Sequence, residues 1–314
     1  MAKQTKLVPS ARPFLKWAGG KTQLLNEFSK RLPPELKKGK ITRYVEPFIG
    51  GGAMFFYLNQ RFSFDHCYIC DVNEELILSY RVIQRSVKKL ISELEILESD
   101  YLSKSDKKRE EFYYEIRDVF KEKLPEIDFK RYNSGWIERA AQIIFLNHTC
   151  YNGLFRVNRK GEFNVPFGRY KNPDILNEDN LNDVATLLKT TKIFLSDFTQ
   201  CRKFVDKHTF VYFDPPYRPL NSTSSFTTYS KSGFYDKDQV RLVEFFKELD
   251  RKGAKIMLSN SDPKNENPAD SFFDDLFSEY YIERVSAKRI INCNGSRRGN
   301  INELIITNYP VKKT

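Results

Sequence analysis

The chain has 314 residues, of which 40% are hydrophobic, 14% aromatic and 30% charged, enough apolar surface for one or two folded domains and too much for a disordered chain. Its 52 Lys and Arg against 41 Asp and Glu leave a net charge of +11, which favours polyanionic partners such as nucleic acid. Apolar runs such as 143–146 fall far short of the ~20 residues a membrane span needs, and residues 1–12 lack the apolar stretch of a secretory signal. Five cysteines, an odd number, fit a reducing cytosol better than a disulfide framework. Cys67 and Cys70 form a lone C-x-x-C, and His66, His148 and His208 supply no ligand-spaced pair, so no metal is expected.

Near the start, Phe14 to Thr22 reads F-L-K-W-A-G-G-K-T. A P-loop would need glycine where Leu15 stands, which disfavours an NTP-binding protein. The run Arg43 to Phe48 predicts a buried strand, and Gly50-Gly51-Gly52 follows it, a turn whose bare backbone lets a ligand approach N–H groups at a helix start. A second strand, Cys67 to Val72, carries Asp71 about 20 residues on, where a carboxylate can accept hydrogen bonds from both hydroxyls of a ribose. Asn73 then caps a helix whose apolar positions, Leu76, Ile77, Tyr80, Ile83, Val87, Leu90, Ile91 and Leu94, recur every three or four residues.

From about Ser99 to Thr190 the alternation of strand and helix breaks, which marks a candidate inserted domain. Within it, Tyr151 to Pro173 holds five cations against one carboxylate, Glu162, interleaved with Tyr151, Phe155, Phe163, Phe167 and Tyr170. Cations among aromatics suit phosphates and bases. Strands are expected again at Lys192 to Phe198, Phe210 to Asp214, Lys255 to Leu258 and Asn302 to Asn308, with a helix from Asp238 to Asp250. The pattern predicts an open α/β sheet whose ligands sit beyond the carboxyl ends of the strands.

Asp214-Pro215-Pro216-Tyr217 ends one of these strands. Two prolines fix the backbone and remove two donors. The Asp214 carboxylate and the Pro215 carbonyl then offer two acceptors to a planar amino group, and Tyr217 offers a face on which a base can stack. Between Tyr217 and the next helix, Arg218 to Asp236 is a Ser- and Thr-rich run of 19 residues, a length that suggests a mobile lid over bound substrate. The stretch Arg284 to Asn302 carries five cations and no acid, which suits phosphate contact.

Taken together, Phe14 to Lys21, Val45 to Gly52, Asp71, the block Tyr151 to Tyr170 and Asp214 to Tyr217 resemble the Dam-type DNA adenine-N6 methyltransferases, in the same order along the chain. The resemblance implies a Rossmann-like methyltransferase sheet formed by residues 1–80 and 191–314, with a mainly helical target-recognition domain inserted at 81–190 and carrying a β-hairpin. It implies S-adenosylmethionine as methyl donor, S-adenosylhomocysteine as product, no metal, and a flipped adenine in double-stranded DNA as target. By motif position Trp17, Lys21, Phe48, Gly50, Gly52, Asp71, Asp197, Phe198 and Asp214 would bind the cofactor, and Asp214, Pro215, Pro216 and Tyr217 would form the catalytic motif. The blocks Tyr151 to Arg156 and Gly161 to Tyr170 are similar to the hairpin of GATC-specific members. Lys16, Leu154 and Arg156 would read bases, Tyr151 and Asn152 would wedge beside the extruded adenine, Pro166 would lie at the DNA, and Arg169 would hold phosphate. A cytoplasmic monomer of bacterial or phage type is the implied setting.

Three other readings compete. A cytosine-N4 or protein-amide methyltransferase needs the same acceptor geometry, although Asp at the head of the motif resembles the adenine enzymes more and the positive charge argues against a protein substrate. A catalytically silent DNA-binding relative would be expected to have lost motif residues that are intact here. An NTP-binding protein is already weakened by Leu15.

Overall fold

The computed structural model describes residues 9–158, 160–218, 234–288 and 300–311. Two short helices, α1 (Leu25–Lys30) and α2 (Pro34–Lys37), precede the first strand, β1 (Arg43–Glu46). The glycine turn leads into α3 (Ala53–Asn59), then β2 (His66–Asp71) and the long α4 (Glu74–Leu102). Three more helices, α5 (Asp106–Glu122), α6 (Gly135–Thr149) and α7 (Glu178–Leu188), intervene before β3 (Thr191–Leu195) and β4 (Thr209–Phe213). The chain continues through α8 (Asp236–Arg251), β5 (Lys255–Ser261), α9 (Phe272–Leu276), β6 (Tyr281–Lys288) and β7 (Asn300–Thr307).

The seven strands form one mixed sheet in the order β3-β2-β1-β4-β5-β7-β6. β1 to β5 are parallel to one another, as the alternation of strands and helices predicts, while β7 runs antiparallel to both β5 and β6. β6 is a correction to the sequence reading, which took Arg284 onward only as a basic stretch. Its sequence, YIERVSAK, mixes charge with small residues and has no continuous apolar run. Within that stretch, residues 289–299 lie outside the described residues, as do 219–233 of the expected lid.

Burial on both faces explains the apolar strands. One apolar cluster packs α3, α4, α6 and the 151–170 block on one face, and a second packs α8 and α9 on the other. Cys67 and Cys70, three apart on β2, fall in different clusters, as strand alternation requires. Asn73 does cap α4, its side chain accepting from the Leu76 N–H at 3.0 Å. The boundary drawn between residues 80 and 81 falls inside this continuous helix, which kinks at Ser86 (φ −145°, ψ 37°). Arg139, buried on α6, ties the helices together through an ion pair to Glu75 and a carbonyl bond to Phe120. The expected β-hairpin in 151–170 is reduced to two isolated antiparallel pairings, Cys150 with Phe167 and Val157 with Phe163. Among the described residues no helix is long and apolar enough to cross a membrane.

Candidate active site and nucleic-acid interface

The parallel strands deliver three acidic groups to one edge of the sheet. Glu46 ends β1, Asp71 ends β2, and Asp214 follows β4. Lys21, only 4% exposed, reaches across to this edge from the N-terminal block. Its ammonium donates to Asp214 Oδ1 at 2.9 Å, to the Tyr217 hydroxyl at 2.5 Å and to the Gly19 carbonyl at 3.2 Å, which uses all three of its protons. Ser259 of β5 donates to the same Oδ1 at 3.0 Å. Among the described residues no donor reaches Oδ2, so one face of the carboxylate is fixed by protein and the other is free.

The two prolines divide in the same way. Gln239, buried on α8, donates to the Pro216 carbonyl at 3.1 Å, while no described donor reaches the Pro215 carbonyl. Tyr217 is 38% exposed, so part of its ring is open to a partner. Its hydroxyl, accepting from Lys21, donates to Glu303 at 2.8 and 3.1 Å.

Glu303, 4% exposed on β7, is a site residue the sequence reading missed. It stands 86 positions from Tyr217 in a strand that otherwise reads as filler, so its only sequence signal is a carboxylate in an apolar run. One cation thus pairs directly with Asp214 and, through the Tyr217 hydroxyl, with Glu303. Burial alone pulls the Lys21 ammonium down, but Asp214, Tyr217 and Glu303 outweigh it and hold Lys21 above the usual lysine range. Burial pushes both Asp214 and Glu303 up, and their share of Lys21 offsets only part of that. Glu46, also missed, is buried, accepts from the Tyr44 hydroxyl at 2.7 Å and is pushed well above the carboxylate range by burial.

Beside this corner lies the glycine turn. The Gly50 N–H donates to Asp71 Oδ2 at 3.2 Å and the Asn73 N–H to Oδ1 at 2.9 Å, so Asp71 braces the turn. Burial raises its pKa, while those N–H groups pull it down. Gly52 adopts φ +75°, and a Cβ there would meet the Tyr80 hydroxyl at 2.6 Å. Phe48 packs against Phe198 at 5.2 Å and meets Phe234 edge-on at 5.7 Å, giving an aromatic wall next to Asp71's strand. Asp197, expected at the cofactor, caps the turn after β3 by accepting from Thr199 and pairs with Arg241 at 2.5 Å.

The 151–170 block, the candidate recognition segment, is fastened to the same corner. Asn147 of α6 accepts from the Lys16 N–H at 2.8 Å and donates to the carbonyls of Lys16 and Gly153, both at 3.0 Å. Trp17 stacks on Phe155 at 5.3 Å, and the Lys16 ammonium lies 5.0 Å over the Tyr170 ring. Tyr151 and Asn152 are exposed, with Asn152 in the left-handed region at φ 58° and its N–H bonded to the Tyr170 hydroxyl. Leu154 is half-buried, and Pro166 is exposed with its carbonyl accepting from the Tyr151 N–H at 2.8 Å. Arg156 is exposed and braced on Asn164 at 2.9 Å. Arg169 stands apart from this group, 78% exposed and 3.6 Å from Glu110 of α5. Arg159 lies outside the described residues. Cys150 is buried under the loop, its thiol pushed up to about 12 by burial.

Residues 17–291 match the model of the D12 class N6 adenine-specific DNA methyltransferases. The chain is 52% identical over 299 residues to the type II methyltransferase M.MjaIII of Methanocaldococcus jannaschii, covering 95% of this chain and 99% of that one. It is 39% identical to the type II methyltransferase M1.LlaDCHI of Lactococcus lactis subsp. cremoris, with 95% of each chain covered. Against the DNA adenine methylase of Escherichia coli K12 it is 32% identical over 306 residues, covering 95% of this chain and 96% of that one. The chain belongs to the D12 class of N6 adenine-specific DNA methyltransferases.

Proposed function

We propose that the enzyme transfers the methyl group of S-adenosylmethionine to N6 of an adenine flipped out of double-stranded DNA, within GATC. The observation that carries this is the pair of free acceptors, Asp214 Oδ2 and the Pro215 carbonyl, beside the exposed ring of Tyr217. The cofactor reading rests on donor chemistry. Asp71 suits ribose hydroxyls, the aromatic faces of Phe48 and Phe198 suit adenine, and Gly50 and Gly52 keep the turn free of side chains. Trp17, Lys21 and Asp197 complete that set by motif position. Bound S-adenosylmethionine supplies an electrophilic methyl group on a positively charged sulfur.

The protein's own part is acceptor geometry and charge. The adenine N6 lone pair is delocalised into the ring, and amino hydrogen bonds to Oδ2 and the Pro215 carbonyl favour the localised form that attacks. Flipping costs a few kcal/mol of pairing and stacking, which the Tyr217 face helps to recover. Methylation leaves N6 with one proton in surplus, and burial makes Asp214 a better acceptor for it than an ordinary carboxylate. No covalent enzyme intermediate is required; fixed dipoles and positioning suffice.

GATC is supported by the likeness of the 151–170 block to GATC-specific hairpins. Lys16, Leu154 and Arg156 read bases, Tyr151, Asn152 and Pro166 hold the space at the target, and Arg169 grips phosphate. We assign 1–80 and 191–314 to catalysis in a Rossmann-like methyltransferase sheet and 81–190 to recognition, acting as a monomer. The relatives named type II methyltransferases favour a restriction-modification setting. The test is transfer of labelled methyl from S-adenosylmethionine to a duplex containing GATC and to one with its adenine replaced, by the wild type and by Asp214→Ala. Label in N6-methyladenine only with both intact is expected; equal labelling of both duplexes discards GATC, and full activity in Asp214→Ala discards the catalytic assignment.

A further inference from the structure

A cavity of about 390 Å³ opens against β3, the edge strand farthest from the antiparallel pair. Four elements line it: α4 with Arg81, Gln84 and Arg85, the loop before α6 with Lys130 and Tyr132, α6 with Trp136, and β3 with Lys192. No lining residue is acidic, and among the described residues none of the four cations makes an ion pair. Asp128, two residues before Lys130, accepts instead from that residue's backbone N–H.

The two arginines are held in place. Arg81 and Arg85, one helical turn apart, share a face of α4, and Arg81 donates to the Ile193 carbonyl at 3.2 Å. Arg85 stacks 5.1 Å over Tyr132, whose hydroxyl donates to Ser86 at the kink of α4 at 2.6 Å. Burial and the neighbouring Arg85 lower the Arg81 pKa. A second cavity of about 140 Å³ shares Arg81 and Phe194 and adds Lys203 and Ser196, whose Oγ is buried without a partner. Like charges fixed around a hollow repel one another, and nothing described in the fold offsets them.

We infer that this hollow is a phosphate-binding site separate from the methyl-transfer pocket. Two forked guanidiniums and two ammoniums match a tetrahedral oxyanion, which comes either from a DNA backbone outside the recognised site or from a free phosphate compound. The site is remote from the chemistry. β2 and β1 separate β3 from β4, roughly 15 Å at the usual strand spacing. Trp136, also in the lining, is roughly 20 Å along α6 from Thr149, where the recognition block begins. The inference therefore does not depend on the catalytic assignments, and Asp214→Ala should bind phosphate as the wild type does.

The experiment titrates the intact enzyme with inorganic phosphate by calorimetry and measures binding to a long duplex across a salt series. Two variants are compared, Arg85→Gln/Lys192→Gln and Lys130→Gln/Lys192→Gln, the second removing only exposed lysines so that one variant keeps its fold. Both should lower phosphate affinity at least tenfold and leave methylation of a short duplex unchanged. If the source is the DNA backbone, each variant also flattens the salt slope by roughly two, about 0.9 per lost contact. If the source is a free phosphate compound, phosphate binding falls with the slope unchanged. Phosphate binding that is absent from the wild type or equal in the variants, together with an unchanged slope, overturns the proposal.

Discussion

At the carboxyl end of β4 the charges are buried and linked, one ammonium paired to Asp214 and joined through the Tyr217 hydroxyl to Glu303, with Lys21 and Glu303 each 4% exposed. In the recognition block the charges are exposed and mostly unopposed, Arg156 resting on Asn164 and Arg169 on a distant Glu110. The two regions touch through Trp17 and Phe155, so a rigid corner carries an open cationic loop. A buried charge acts by staying where it is, whereas an exposed cation acts by exchanging water and counterions for a partner. Mutations in the corner should therefore alter turnover and stability, and mutations in the loop should alter sequence preference and affinity.

Removing the shared cation is the largest perturbation. Lys21→Ala leaves Asp214 and Glu303 buried without a counter-charge, a change that costs about 3–5 kcal/mol when the groups stay ionised. At roughly 2–4 °C per kcal/mol for a chain of this size, the melting temperature should fall by about 10 °C at neutral pH. The sign of its pH dependence follows from burial. Both carboxylates already have raised pKa values, so on acidification they protonate early, the uncompensated charge disappears and the deficit shrinks. A deficit that stays constant from pH 8 to pH 5 in a calorimetric series would count against the shared-cation account.

Glu303 is the next test. Its carboxylate accepts the hydrogen bond that the Tyr217 hydroxyl donates, which leaves the hydroxyl oxygen to accept from Lys21. Glu303→Ala should lower kcat by about 10- to 100-fold, the worth of a hydrogen bond to a charged group, with DNA affinity unchanged. Glu303→Gln keeps an acceptor and loses the charge, so it should recover part of kcat and remove from the acid limb the component due to Glu303 protonation. In the wild type that component lies above the ordinary ~4.3 of glutamate because burial raises the group. Equal kcat in the alanine and glutamine variants would make Glu303 a packing residue only.

That Glu303 needed the structure, while Asp214 did not, shows what a sequence displays. Asp214 to Tyr217 is contiguous, and two prolines at a strand end are conspicuous wherever they occur. The parallel strands were legible because burial on both faces makes them uninterrupted apolar runs. β6 was not, since YIERVSAK at the sheet's margin is half-exposed and carries charge. Ser259 joins the site through the pairing of β4 with β5 (Phe213 with Leu258) and Glu303 through that of β5 with β7 (Ser261 with Glu303), contacts between segments 45 and 42 residues apart that no local pattern encodes. The 151–170 block was legible as chemistry, and its geometry was not: strand pairing stops at Val157 with Phe163, where Asn158 closes a turn onto Gly161 through the backbone and onto Glu162 through both backbone and side chain.

Within the loop, Arg156 should matter for discrimination. Its guanidinium is braced on Asn164 through Nε and Nη2, which leaves Nη1 and the outer edge of the fork to meet a base edge. Arg156→Ala should cost about 1–3 kcal/mol of preference at one base pair of the site, read as the ratio of kcat/KM on cognate and singly substituted duplexes. A uniform loss over all substituted sites would move Arg156 to the phosphate contacts.

Arg169 should have the smallest effect and the most different signature. Its ion pair to Glu110 is 3.6 Å long with the arginine 78% exposed, an arrangement that contributes little to stability because water and salt screen it. The side chain is thus free to leave Glu110 for a phosphate. Its backbone sits at φ 55°, so the substitution should keep a β-carbon and leave the local strain as it is. Arg169→Ala meets that condition and should weaken binding to every duplex alike, flatten the salt slope by roughly one and leave the ratio between cognate and substituted sites untouched. A changed ratio would place Arg169 at a base edge and dissolve the division of labour between the two arginines.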